Sequence, residues 1–316
     1  MVISSAAAGF SHFNQINKSI KANCTKIYAA IQIRAIRSIK SATFGVVRRV
    51  KVIYNCIMII QSLASGSKGN SVFIASENAK ILVDVGLPWY LLEKRFVAAG
   101  IDPRTIEAIF ITHEHGDHVC GLEGFVKRFK TRVYLQKDCV GVFPNLPNEC
   151  VQIFDENVTV GDILVEYFPV PHDSKFCFGY TFRCGDEKIG LATDLGRVNS
   201  NIIAALSGSQ IVFIESNHDL LRLTGNKKYP LVLKRRITSS VGHLSNPAAS
   251  MAIYQLAKTG VSQFILAHLS EQNNSPTIAF ECVRDFLAGQ GIIEGRDVWI
   301  DVASQDKVGL RFSVKG

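Results

Sequence analysis

No run of roughly eighteen uncharged apolar residues occurs in the 316-residue chain, so it offers no membrane-spanning helix. None of the eight cysteines, at 24, 56, 120, 139, 150, 177, 184 and 282, pairs at CxxC spacing, which excludes a zinc knuckle and a thioredoxin-like motif. Several stand in apolar, strand-like context, as in Lys175-Phe176-Cys177-Phe178, where a free thiol serves as a small core residue. Reduced thiols and a cytoplasmic location are the expectation. Acidic residues are missing altogether from residues 1–57, which hold nine of the 35 Lys and Arg, while the other 26 face all 27 Asp and Glu. The net charge of +8 therefore sits near the N-terminus. The body is close to neutral, and the pI of 9.1 says nothing by itself about nucleic-acid binding.

The acid-free stretch, rich in Ile, Ala and Ser, is set apart from the fold as a basic N-terminal extension. Three readings stay open for it: an organelle-targeting segment, a membrane-surface helix, or residues ahead of a true start at Met58. Its alternation of apolar with basic residues (Ile33-Arg34, Ile36-Arg37, Ile39-Lys40) defines no clean apolar face. One domain is expected over 58–316. At 47% hydrophobic and 20% charged residues, the chain has the composition of a globular protein with an ample core.

Within the domain, strand patterns stand at 59–64, 71–75 and 80–84, the first two joined by the Gly/Ser loop 65–70. A helix over 88–99 opens at Pro88 and closes at Gly100. The apolar strand 107–111 runs into a histidine cluster, followed by a helix over 117–129. Strands recur at 133–135, 151–154, 162–170, 177–183 and 187–193. A βα rhythm then takes over: strand 210–215, a helical stretch at 228–238, helix 247–258 with Asn246 as N-cap, strand 262–266, helix 276–288, and strands near 297–301 and 308–313. Two β-rich halves, each accompanied by helices, predict an α+β fold. Its form is a four-layer αββα sandwich with two sheets face to face and helices outside.

His113-Glu114-His115-Gly116-Asp117-His118 places three of the eight histidines and an aspartate in six positions. Divalent metals take neutral imidazole nitrogens and carboxylate oxygens, and a two-ion site needs about six or seven such ligands. In an extended turn, His113 and His115 point the same way and can share one ion. Asp117 and His118, where the chain turns into a helix, can address a second. Three further polar residues end apolar strands: His172, Asp194 and His268. Singly, such a residue is more often a cap or a turn; beside the cluster, the three complete a ligand set.

The order of these motifs resembles the metallo-β-lactamase superfamily: an early Asp, HxHxDH, a His, an Asp and a final His. The matching positions are Asp84 in Leu82-Val83-Asp84-Val85-Gly86, the 113–118 run, His172, Asp194 and His268, so the likeness spans about 58–316. It implies two divalent ions, zinc or manganese with iron as a further option. His113, His115 and His172 would hold one, and Asp117, His118 and His268 the other. Asp194 would bridge them, and Asp84 would orient the ligand turn through hydrogen bonds.

Fold does not fix function, so the branch is argued from the site. His118 supplies a ligand that many antibiotic-degrading β-lactamases lack. The 48 residues after His268 read as a helix and edge strands, not as the helical substrate domain of a glyoxalase-II-like enzyme. Glu215-Ser216-Asn217-His218 and Gly242-His243-Leu244-Ser245 resemble motifs of the tRNA 3′-processing ribonucleases, where a Glu-supported histidine acts on the scissile phosphate. An imidazolium there protonates or neutralises an alkoxide leaving group. His218 is read as a turn residue and not as a ligand. Only 21 residues separate His172 from Asp194, too few for a tRNA-binding arm, and the 73 between Asp194 and His268 leave no room for a β-CASP domain.

The chain is similar to the YycJ (WalJ) group of bacterial proteins in Ala64–Ser71, Thr112–His115, Glu215–Asp219, Lys234-Arg235-Arg236 and Val241–Asn246. That resemblance implies a metal-dependent 5′-to-3′ DNA exonuclease linked to DNA repair, with DNA as substrate and Asp117, Glu215 and His243 catalytic. A water bridging the two ions would be ionised near neutral pH and attack the phosphate, with His243, oriented by Glu215, assisting. Lys227, Lys228, Lys234, Arg235 and Arg236 should flank the cleft, and Lys127, Arg128, Lys130 and Arg132 form a second basic group for backbone phosphates. The Gly66–Asn70 loop either offers its N–H groups to a phosphate or is a plain hairpin turn. The alternatives are a phosphodiesterase for small cyclic nucleotides and a metal-binding module without turnover. No feature of the sequence sets an oligomeric state.

Overall fold

The structure, a computed structural model, describes residues 57–139 and 141–314. The basic N-terminal extension, Ile57 aside, lies outside the described residues together with Cys24 and Cys56. The strands are β1 (Ile59–Ala64), β2 (Ser71–Ala75), β3 (Lys80–Val83), β4 (Ala108–Phe110), β5 (Arg132–Gln136), β6 (Val151–Phe154), β7 (Val158–Val160), β8 (Ile163–Pro169), β9 (Phe178–Cys184), β10 (Glu187–Ala192), β11 (Ile211–Glu215), β12 (Gln263–Ala267), β13 (Trp299–Val302) and β14 (Arg311–Ser313). They form two seven-stranded sheets, ordered β14-β1-β2-β3-β4-β5-β6 and β13-β12-β11-β10-β9-β8-β7.

The layering follows from which way alternate residues point. Ile81 and Val83 of β3 join Ile211 and Phe213 of β11 in a core between the sheets. Leu82, between the first two, faces outward into a second cluster, and Val212 and Ile214 face outward into a third. A strand buried on both faces reads as an unbroken apolar run, which is why these segments lacked polar alternation. Helices α1 (Trp89–Ala99) and α3 (Leu122–Phe129) cover the first sheet through Leu92, Phe96, Phe125 and Val126. Helices α4 (Ser200–Leu206), α7 (Asn246–Ala257) and α8 (Pro276–Gly289) cover the second through Ile202, Ile253, Leu256, Val283 and Leu287. The expected αββα sandwich results. The remaining helices, α2 (Gly116–Val119), α5 (Leu220–Gly225) and α6 (Leu231–Ile237), are short and follow β4 and β11.

Helix α1 behaves as its sequence demands: Pro88 precedes it, and Gly100 adopts φ 66° while its amide bonds Phe96 O and Val97 O. The helix expected over 117–129 is instead two, α2 and α3, because the Gly121 amide is diverted to Val85 O. A Cβ at Gly121 would lie 2.0 Å from Leu87 O, so only glycine fits the break. Asn246 is not the cap of α7. Ser245 caps it by accepting from the Ala248 amide, while Asn246 is buried and bonded to Ser216 and Asn274. β7, α4 and α5 were not expected; the last two carry N-caps at Asn199 and Asp219 that the apolar pattern alone does not reveal. Cys120, Cys139, Cys150, Cys177 and Cys282 are free thiols. No helix of the described residues is long and apolar enough to cross a membrane.

Phe213 is 1% exposed in the core between the sheets. Phe213→Ala should cost about 3–5 kcal/mol, read as a lowered urea midpoint followed by circular dichroism.

Candidate metal centre

The site assembles because strands whose ends carry the polar residues run parallel. β3 pairs with β4, and β10 with β11 and β11 with β12, all in parallel, so their C-terminal ends share one rim. The register sets Ile214 beside both Ala192 and Leu266, which brings Asp194, Glu215 and His268 level with one another. Asp84, Asp194 and His268 adopt φ of 63°, 59° and 53°, three of the four left-handed non-glycine residues among the described residues. Such a backbone costs an L-residue on the order of 1 kcal/mol or more, and it is kept where the surroundings over-determine it. At His268 they do: its amide donates to Ser65 Oγ at 2.8 Å, and its carbonyl accepts from Asn217 Nδ2 at 2.8 Å.

Four overlapping groups have donor atoms within 4.8 Å of one another: His113, His115 and His172; Asp117, His118 and His268; His113, His118 and Asp194; and Asp194, Glu215, His243 and His268. All nine singled-out residues thus meet at one place. Asp84 stands behind them. Its carboxylate accepts from the Thr112 amide and hydroxyl, both at 2.8 Å, and its Oδ2 lies 2.7 Å from His118 Nδ1. The rings share a pattern. His118 Nδ1 faces Asp84, His172 Nδ1 lies 3.2 Å from Gly242 O, and His268 Nδ1 lies 2.9 Å from Glu215 Oε1. Each outward nitrogen is occupied, which leaves Nε2 for the site.

Two buried atoms test whether a cation fits. His113 Nε2 has no hydrogen-bond partner, and Asp194 Oδ2 meets only the His118 Nε2 nitrogen, at 3.2 Å, although both residues are buried. Buried polar atoms are seldom left orphaned, and a divalent cation would satisfy both at once. The electrostatics agree. Burial, reinforced by the charge of His118, pushes the His113 imidazole down to about 2, so it stays in the neutral form that donates a lone pair. Burial opposes ionisation of Asp117, but its hydrogen bond to His268 and the charge of His118 hold it down to about 2. Burial likewise disfavours protonated His118, yet Asp194 and Asp84 push it up to about 10. The pocket draws in positive charge.

Glu215, fully buried, holds the second part of the site. Burial works against its charge, yet His243 brings it down to about 2. Its Oε2 accepts from the Leu195 and Leu244 amides at 2.8 and 2.9 Å, while Oε1 lies 2.8 Å from His243 Nδ1. His243 remains 20% exposed to a cleft of about 280 Å³ that it lines with His115, Asp117, Asp194 and His268. Tyr229, Leu233, Arg236 and Ile237 also line this cleft. His218 is buried and belongs to none of these groups.

Sequence reasoning missed several contributors. Asn70 Nδ2 lies 3.0 Å from His118 Nε2 and 3.3 Å from Asp117 Oδ2, and the Asn70 amide donates to Asp117 O. Asn70 and Thr112 both stand in the motifs quoted above, but only the fold shows what they touch. Most amides of the loop around Asn70 are used within the fold. Those at Gly66, Lys68, Gly69 and Asn70 bond Asn70 Oδ1, Gln305 Oε1, Gly66 O and Asp117 O. The second basic group is largely engaged locally: Lys127 pairs with Glu123, Lys130 with Glu149 at 3.7 Å, and Arg128 sits 4.8 Å over the Trp89 ring. Of the first group, Arg236 alone lines the cleft.

Comparison with known proteins agrees with this geometry. The Metallo-beta-lactamase superfamily profile matches residues 64–224. The chain is 34% identical over 235 residues to a protein named exodeoxyribonuclease YycJ from Bacillus anthracis, across 72% of this chain and 89% of that one. It is 30% identical over 252 residues to exodeoxyribonuclease WalJ of Streptococcus pneumoniae, across 77% of this chain and 93% of its counterpart. The metallo-beta-lactamase fold protein YhfI from Bacillus subtilis superposes with a TM-score of 0.63 over 82% of this chain and 100% of its own, at 14% identity. That last likeness concerns the fold.

Asp84→Ala should weaken retention of a divalent ion on the order of 10- to 100-fold by freeing the His118 ring, measured by competition with a chelator.

Proposed function

The chain belongs to the metallo-β-lactamase superfamily of hydrolases and groups with the YycJ/WalJ proteins, and from that membership we propose that it is a metal-dependent exodeoxyribonuclease. It would digest DNA from the 5′ toward the 3′ end in the service of repair. The observation that carries the reading is the Glu215–His243 pair, 2.8 Å apart, opening on the same cleft as the ligand groups. Hydrolysis of a phosphodiester needs a group that meets the charge on the leaving oxygen, and a supported imidazole does so. The names of the relatives in Bacillus anthracis and Streptococcus pneumoniae point to the same substrate.

His113, His115 and His172 would hold one divalent ion, and Asp117, His118 and His268 a second, with Asp194 between them. This mixed imidazole and carboxylate set suits zinc, manganese or iron. Bound there, the ions supply Lewis acidity toward a phosphoryl oxygen and acidify a water to near neutral pH. The protein does the rest. Asp117 and Asp194 offset the cationic charge, and Asp84 and Glu215 fix the rings of His118 and His268 by accepting from Nδ1. His243, with Nδ1 bound to Glu215, has Nε2 available to give a proton to the leaving oxygen.

The decisive experiment is a time course on duplex DNA labelled at the 5′ or 3′ end, with Mn²⁺, Zn²⁺ or chelator, beside a bis(p-nitrophenyl) phosphate reaction. Early release of the 5′ label as mononucleotides, blocked by chelator, is expected. Intact DNA with hydrolysis of the small diester would move the substrate to small molecules. Asp117→Ala should abolish turnover on both substrates. His243→Ala should lower kcat on the order of a hundredfold while ion content holds, and loss of ion from that variant would reassign its role.

A further inference from the structure

Arg236 is the only Lys or Arg among the described residues that line the cleft. It comes from α6, where Leu233, Arg236 and Ile237 recur at helical spacing and form, with Tyr229, a wall facing His115, Asp117 and His243. No residue of α6 is buried, so the core does not fix this helix. Its end is fixed by the His243 loop instead. The His243 amide donates to Ile237 O at 2.8 Å, and a Cβ at Gly242 would lie 2.2 Å from Arg236 O. One rigid turn therefore carries both Arg236 and His243.

The Arg236 guanidinium is itself oriented. Nε donates to Asp173 Oδ2, and Nη2 donates to Asp173 Oδ1 at 3.1 Å. Asp173 follows the candidate ligand His172 in the chain, and its Oδ1 lies 3.5 Å from His172 Nε2. Arginine has five N–H donors in a planar fork, and this pair uses two of them. The other edge stays available, with the side chain 54% exposed. An ion pair this open to water contributes little to stability, so stability does not account for the pairing.

We infer that Arg236 binds a backbone phosphate of the strand in the cleft, next to the scissile bond, and that Asp173 is the positioning residue that aims it. The inference rests on the phosphodiesterase reading above. The planar fork matches two phosphoryl oxygens at once, whereas a lysine there would offer only a point charge. The ligand class is a phosphodiester anion, with the carboxylates of the ligand groups screened from it by the bound cations.

The test measures binding of a single-stranded phosphorothioate oligonucleotide to the whole Mn²⁺-loaded protein across a series of KCl concentrations. Wild type is compared with Arg236→Ala, Arg236→Lys and Asp173→Asn, and ion content is measured for each. Arg236→Ala should weaken binding about tenfold and reduce the slope of log K against log salt by about 0.7, the share of one phosphate contact on a single strand. Arg236→Lys should keep the slope and lose several-fold in affinity. Asp173→Asn should keep the slope and the ion content while weakening binding a few fold. An unchanged slope in Arg236→Ala overturns the inference, as does loss of the bound ion, which would make Arg236 a support for His172. Wild-type protein that ignores DNA but hydrolyses bis(p-nitrophenyl) phosphate overturns the exonuclease reading alone if Arg236→Ala still raises the KM for that diester. An unchanged KM there overturns both.

Discussion

Asp194 carries a buried carboxylate oxygen met only by the His118 ring, at 3.2 Å, and His113 and His268 crowd around the same side chain. A charge so placed is costly to bury unless an opposite charge meets it. The imidazoles meet it in part, and a divalent cation would complete the compensation. Much of the architecture serves to hold that demand in place. The left-handed turns at Asp84, Asp194 and His268 aim side chains inward where a relaxed strand end would not. The carboxylates of Asp84 and Glu215, each bonded to backbone amides as well as rings, keep the imidazoles from turning away.

The sandwich makes this arrangement possible by its register. Strands of both sheets deliver their C-terminal ends to one rim, and the core beneath them is apolar on both faces of each sheet. Loops rather than strands then bind the rim together. Asn217 and Asn274 tie the segment after β11 to the His268 loop, and Asn246 ties it to the start of α7. These amides are buried and hydrogen-bonded from one segment to the next, which suits a site whose residues come from segments far apart in the chain.

Charge is distributed with equal economy. The net positive charge of the chain belongs to residues 1–57, and several body cations are occupied by local carboxylates or rings. Arg236 differs in lining the cleft, where it faces the same space as His243. Position, and not the number of basic residues, sets Arg236 apart in a near-neutral domain.

The sequence by itself determined the fold class, most strand positions and the residues that meet at the rim, because apolar runs buried on two faces and a dense HxHxDH cluster leave few other readings. It also set Glu215 and His243 apart, although they stand 28 positions from each other. Tertiary structure alone decided which groups support them. Asn70, Thr112 and Asp173 are ordinary polar residues in any linear reading, and they gain a role only where the register brings their strands and loops beside the rim. The break between α2 and α3 and the cap at Ser245 were likewise invisible. Each depends on a contact across the fold or on a hydrogen bond whose partner the local pattern does not name, and one-dimensional periodicity carries no record of such contacts.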